Sequence, residues 1–342
     1  AEGSPCPTLV LPAGLLPTAE AELAPVLAAV HEVLRVNGMG HVLKIALIAR
    51  SAEAGFDLTY RFVQYVPGQR PRFEFRGSCG HSILSAVLVA SRLGWVPPLH
   101  AGQHVWVDVR NNGDTVVCGV DAASADEAHF TVRFHRHQQP RLSDLLLFGE
   151  PVTDLDYPGG RVRISGVSIG NPYVFVDAAD LGRPSPAELF ADDQELFTTL
   201  GAVRRAAEQR LGWPAGTFPK VAALLPDVNG TVAARAISVP SWHPTLALTG
   251  VTCLAVASVI SGTVPSALCP EEAGRLMIRT AKGRTSAQVK VTGKAPDPQR
   301  LDWVSVSGKV ARFVAAVDVP TFARCPAGPR MSALTTDRAK GA

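Results

Sequence analysis

Two stretches decide the fold, "RGSCGHSILSAVLVASRLG" (76–94) and "LTGVTCLAVASVISG" (248–262). Each opens on a turn of small residues and runs into a segment that is apolar nearly all round. A helix without a polar face must be enclosed by its own sheet. Each is preceded by an apolar strand interrupted by one lysine, "LKIALIA" (43–49) with Lys44 and "PKVAALL" (219–225) with Lys220. The spacings Lys44…Cys79 and Lys220…Thr249 are similar, so Cys79-Gly80 lies opposite Thr249-Gly250. A repeat this long means duplicated domains rather than a stacked solenoid.

The remaining pattern agrees. Residues 41–50, 104–110, 114–122 and 129–137 are β-branched and partly alternating, which predicts strands. Residues 159–178 predict two strands around a Gly-Asn-Pro turn. Residues 185–212 predict one helix, with Ser185 as N-cap, Pro186 at N1 and Gly212 as its stop. Residues 218–227 predict another strand. The fold class expected is α+β, with two pseudo-symmetric domains, each a mostly antiparallel sheet wrapped around a central apolar helix. The boundaries expected are 1–149, carrying Lys44 and Cys79, and 150–304, carrying the second helix mouth at Thr249-Gly250. The strand 305–320 is read as able to return to the first domain, and 326–342 as a loose tail.

Composition narrows the function classes. The 342 residues suggest two domains of about 150 each, and 46% hydrophobic against 18% charged content supports a sizeable core. The net charge is +3, with no run of like charges or basic stripe interleaved with aromatics, so no nucleic-acid partner is expected. The apolar runs are far too short for a membrane span, and "AEGSPCPTLV" lacks the pattern of a signal peptide. The six cysteines are widely spaced without CxxC. We therefore expect a reducing, cytoplasmic setting rather than a disulfide scaffold. There is no P-loop, GxGxxG or GxSxG, so neither a nucleotide cofactor nor hydrolase chemistry is expected.

The first turn of a helix offers N–H groups without intrahelical partners and a partial positive charge. A carboxylate or enolate oxygen sits well there, and glycines at 80 and 250 allow close approach. Two such mouths facing each other would form a cleft for a small carboxylic acid. The same field favours a thiolate at Cys79, a plausible base for an activated C–H, with Lys44 as second proton carrier or charge clamp. Inert burial is the competing reading for a cysteine and fits Cys118 and Cys253. A solvated strand edge is the competing reading for a lysine. Ser78, His81, Gly170, Asn171 and His243 are further candidates for substrate contact. A plain turn competes for Asn171 and a structural role for His243. Arg76 either lowers the Cys79 pKa or lies on the surface. His135 and His137 share a strand face but lack a third ligand at zinc spacing, so no metal is expected.

The segments "NGMGHVLKIALIARS" (37–51), "GSCGHSILSA" (77–86), "VSIGNPYVFVDAADLG" (167–182), "FPKVAALL" (218–225) and "HPTLALTGVTCLAVASVISGTV" (243–264) resemble, in order, the PrpF-type isomerases. That family includes methylaconitate and methylitaconate isomerases and oxalomesaconate tautomerase, and has the diaminopimelate epimerase-like fold. The resemblance implies that Lys44 and Cys79 handle protons, that Gly170, Asn171 and Pro172 form the family's turn, and that no cofactor is needed. Threonine at 249 implies a one-thiol site, favouring a proton shift between carbons over inversion at one centre.

The family's N-terminal Arg-Gly-Gly-Thr-Ser-Lys signature has no match in "PTLVLPAGLLP" (7–17), and His81 replaces an asparagine. These departures imply a less anionic acid, as in pathways building alkylproline units of antibiotics. A methylaconitate-type isomerase of central metabolism and an inactive small-acid-binding relative remain alternatives. A homodimer is left open.

Overall fold

The computed structural model describes residues 1–69, 71–135, 139–216, 218–238, 241–269, 274–293, 298–319 and 332–336. The chain divides into two compact units, Ala1–Val132 with Lys309–Ala342, and Arg133–Gly308. The division falls earlier than the expected 149/150, because the turn around Leu142–Leu145 bonds into the second unit. Leu142 N donates to Gln299 O (2.9 Å), and Leu146 bridges Val167.

The first unit begins with β1 (Thr8–Pro12), α1 (Glu20–Val36), β2 (Lys44–Arg50), β3 (Leu58–Val66), β4 (Arg72–Glu74), α2 (Gly80–Arg92), β5 (His104–Val109), β6 (Asp114–Ala123) and β7 (Glu127–His135). The second contains β8 (Thr153–Tyr157), β9 (Gly160–Ile169), β10 (Asn171–Asp177), α3 (Pro186–Phe190), α4 (Gln194–Arg210), β11 (Lys220–Pro226), β12 (Thr231–Ala236), α5 (Leu248–Ser258), α6 (Val264–Leu268), β13 (Arg275–Thr280) and β14 (Gly283–Thr292). Then β15 (Arg300–Arg312) runs from the second unit into the first, followed there by β16 (Ala315–Asp318) and β17 (Ser332–Thr336).

The repeat read from the sequence is present strand for strand. In the first unit β1 pairs parallel with β2, β2 antiparallel with β3, β3 parallel with β5 and β5 antiparallel with β6. In the second, β10 and β11 are parallel, β11 and β12 antiparallel, β12 and β13 parallel, β13 and β14 antiparallel. Parallel neighbours need a crossover element, and helices fill these places: α1 and α2 in the first unit, α3–α4 and α5 in the second. The architecture is the α+β, diaminopimelate epimerase-like arrangement expected.

Side-chain alternation along β2 determines where its lysine points. Leu9 and Leu11 of β1 and Ile45 and Leu47 of β2 cluster with Leu23, Leu27, Val30 and Leu34 of α1. With a period of two, Lys44, Ala46 and Ile48 must face the opposite side, where α2 packs. Every residue of α2 from Gly80 to Ala90 is buried, and so is every residue of α5 from Leu248 to Ala257. The sequence-predicted central helices are therefore enclosed as their composition demands.

Three elements differ from expectation. Helix α1 was not read from the sequence, because Pro25 sits inside it. The signal is nonetheless there: Leu23, Leu27, Val30 and Leu34 recur at helical spacing behind Glu20 and Glu22 in the first turn. The helix expected over 185–212 is two helices. Ser185 and Pro186 start it with a capping box on Glu188, but Asp193 caps a second helix by accepting from Leu196 N (3.0 Å). The tail expected to be loose over 326–342 contains β17, which pairs antiparallel with β1 and β16 and occupies the edge of β1 away from β2. The rest of that stretch, with the end of the strand expected over 129–137, lies outside the described residues. Among the described residues no helix is long and apolar enough to cross a membrane.

Because α1 seals one face of the first sheet, Leu27→Ala should lower unfolding free energy by about 2–5 kcal/mol. Val36→Ala, at an exposed position, should stay within about 0.5 kcal/mol. Chemical denaturation of both variants checks this.

Candidate active site

The N-cap residue of α2 is Cys79, in an extended conformation (φ −137°, ψ 104°). Its carbonyl starts the helix, accepting from Ser82 N (2.9 Å) and Ile83 N (3.1 Å). It also accepts from the Tyr60 hydroxyl (3.2 Å). The residue is half-buried, and its backbone is fixed by the helix start.

Lys44 is the second element. It is only 8% exposed, and a buried ammonium is costly unless partnered. Its Nζ donates to Ser4 Oγ (2.8 Å), and its charge acts on the Cys79 thiol. Burial alone would push the Cys79 thiol up. The Lys44 charge, hydrogen bonds from the Ser82 side chain and N–H, and the Lys44 hydrogen bond outweigh it, leaving the thiol below its ordinary value. Ser82 is held in turn by Thr8, whose Oγ1 is 2.9 Å from Ser82 Oγ. Burial and the neighbouring Cys79 charge push the Tyr60 phenol well above its usual range, so it stays a donor to the cap carbonyl.

The other cysteines contrast with Cys79. Burial pushes Cys118 and Cys269 up to about 12. Cys6 is raised chiefly by burial, against the opposing Lys44 charge. The five described cysteines are free, and Cys325 lies outside the described residues.

The structure brings Lys44 and Cys79 together, with Ser78 and His81 buried on either side of the helix start. Arg76 is exposed, and the charge that acts on the thiol is that of Lys44. Sequence reasoning missed Ser4, Cys6, Thr8, Tyr60 and Ser82. The first three lie in a Pro-rich segment that reads as lacking a useful polar cluster. The parallel register Thr8↔Lys44 is what carries them to the lysine.

In the second unit, Gly170 makes the turn between β9 and β10 with φ 77°, a conformation that favours glycine. Asn171 Nδ2 donates to Thr249 Oγ1 (3.4 Å) at the start of α5. Cys253 ties the same turn to the helix: its Sγ accepts from Ile169 N (3.4 Å) and donates to Asn171 O (3.2 Å). Gly250 also has a packing reason to be glycine. A Cβ there would lie 2.6 Å from Tyr173 Cζ and 2.8 Å from its hydroxyl, so the glycine accommodates Tyr173 as well as any approaching group. His243 is buried and braces the turn before α5, with Nδ1 accepting from Thr245 N (3.2 Å). Lys220 lies 5.2 Å from the centroid of the Phe218 ring. His137 lies outside the described residues, and among the described ones no group of three or more His, Cys, Asp or Glu is placed to hold a metal.

The model of the PrpF protein family matches residues 101–314, more than half of the chain. The chain belongs to the PrpF family. Lys44 and Cys79 precede the matched segment. The putative isomerase YraM of Bacillus subtilis (strain 168) is 23% identical over 304 residues, covering 76% of this chain and 81% of that protein. The 4-oxalomesaconate tautomerase of Pseudomonas putida (strain KT2440) is 25% identical over 268 residues, covering 72% and 74%. Among solved structures, methylitaconate-delta-isomerase superposes with a TM-score of 0.62 at 17% identity, covering 91% of this chain and 92% of that one. This PrpF protein is an isomerase with the diaminopimelate epimerase-like fold.

A depressed thiol pKa means that the thiolate persists below the ordinary thiol range and is lost only as pH falls through the lowered value. An unperturbed thiol titrates near about 8.5. Iodoacetamide at near-neutral pH should therefore alkylate Cys79 ahead of Cys118 and Cys269 in the folded protein, as peptide mass spectrometry would show. Equal labelling of the three would contradict this.

Proposed function

We propose that this protein moves a double bond in a small unsaturated carboxylic acid by a 1,3-type proton shift, with Cys79 and Lys44 as the acid–base pair. The reading rests on one observation above all: the thiol held below its ordinary value, beside the ammonium of Lys44. A thiol that gives up its proton more readily than usual, beside a buried amine, places a base and a proton donor at one point of the fold.

The Cys79 thiolate takes a proton from the carbon activated by conjugation to the carboxylate. The C–H bond breaks, an S–H bond forms, and the electron pair spreads into a dienolate. The positive end of α2 and the Lys44 charge favour that anion. Lys44 gives a proton to the far carbon of the conjugated system, forming the new C–H bond. The proton then passes from the sulfur to the amine along their hydrogen bond, restoring the starting state. The sequence of steps consumes no oxidant and calls on no cofactor.

The finer substrate assignment rests on charge. Residues 1–12 carry no basic side chain, and Lys44 is the cation at the thiol. A monoanionic acid with an apolar arm, such as an alkylproline-type precursor of specialised metabolism, fits this better than a tricarboxylate.

Cys79→Ser should keep the fold and lose turnover by about 10²–10⁴, the usual weight of positioned acid–base catalysis. Product formed in deuterium oxide should carry solvent label at carbon. Near-wild-type turnover in the serine variant, or isomerisation without label, would remove the thiol from the mechanism. In a substrate panel, faster turnover of methylaconitate than of the monoanionic acids would overturn the finer assignment.

A further inference from the structure

We propose that Ser4 is the positioning residue of Lys44, so that the segment ahead of β1 is a working part of the active site. The proposal rests on the acid–base pairing of Lys44 and Cys79 put forward above.

Ser4 Oγ donates its single proton to Cys6 O (2.8 Å) and accepts from Lys44 Nζ (2.8 Å). Because the Cys6 carbonyl takes the hydroxyl proton, the serine oxygen is oriented as an acceptor toward the amine. An ammonium has three donors. Ser4 takes one of them, and the amine's charge acts on the Cys79 thiol. Lys44 has four rotatable bonds and much rotamer freedom to lose. The hydroxyl fixes the end of that chain at the sulfur.

The serine is itself held. Ser4 N donates to Ala1 O (3.2 Å) across a turn in which Gly3 has φ 78°. Glu2 N donates to Val310 O (2.8 Å) on β15. Arg312, also on β15, pairs with both Glu2 and Glu127. Cys6 is buried, and Thr8 two residues on lies in register with Lys44. The segment is therefore anchored at both ends of the short span that presents Ser4. Ser4 acts through Lys44 and makes no bond to the reacting carbon.

The test is the pH dependence of Cys79 alkylation, followed by mass spectrometry in full-length protein. It needs no substrate. Ser4→Ala should raise the alkylation midpoint by about one pH unit, a tenfold change in the thiol equilibrium. Ser4→Thr, which keeps the hydroxyl, should restore the wild-type midpoint. Lys44→Gln should raise it at least as far as Ser4→Ala. Thermal unfolding confirms that each variant is folded, and Ser4→Gly replaces the alanine variant should that one fail to fold. A wild-type midpoint in Ser4→Ala beside a raised one in Lys44→Gln would overturn the positioning role alone. An unchanged midpoint in both would overturn it together with the action of Lys44 on Cys79 on which it rests.

Discussion

The structure of the first unit depends on a charge placed where an apolar residue would ordinarily sit. β2 is apolar between Lys44 at its first position, which is buried, and Arg50 at its last, which is exposed. Removing an ammonium from water costs several kcal/mol, repaid only by good pairing. At about 4 Å and an effective dielectric near 20, a pair of unit charges gains roughly 4 kcal/mol. Ser4 supplies a neutral acceptor, and the neighbouring Cys79 thiol, held below its ordinary value, is the group that can supply the opposite charge. The same placement bears on the thiol's reactivity: the lysine charge lowers the pKa of Cys79.

The duplication explains why this pair has so defined a place. Both units set an apolar helix against a sheet whose strands alternate parallel and antiparallel in the same order, and both put a lysine at the start of the corresponding strand. Their helix mouths then diverge. At the first, the cap residue is a thiol on which the Lys44 charge acts. At the second, Thr249 bonds the Asn171 amide, Cys253 is engaged by the β9–β10 turn, and Gly250 makes room for Tyr173. The polar groups of the second mouth are bound into its own turn. The titrating pair belongs to the first copy.

Much of this was legible in the residues. An all-apolar helix announces a central position, and small residues at its start announce an open mouth. A lone lysine in an apolar strand announces a partner. What could not be read was the identity of the groups that complete the site. Ser4, Cys6 and Thr8 are small, scattered among prolines and remote in sequence from Lys44. Only the parallel pairing of β1 with β2 brings them to it. Helix α1 was hidden by Pro25, tolerated inside a long helix whose apolar stripe is packed against the sheet. The break at Asp193 was hidden because an acidic residue within a helical pattern reads equally as a surface position and as a cap. β17 was hidden in a polar stretch whose pairing depends on the far end of the chain.

The central claim is that the Lys44 charge holds the Cys79 thiol below its ordinary value. The most direct measurement is the ¹³Cβ chemical shift of Cys79 followed by NMR across a pH titration, in the wild type and in Lys44→Met. The account requires a wild-type titration below the range of a free thiol and a marked upward displacement once the lysine charge is gone. A wild-type titration at or above the free-thiol range, or the same titration curve in both proteins, would contradict it.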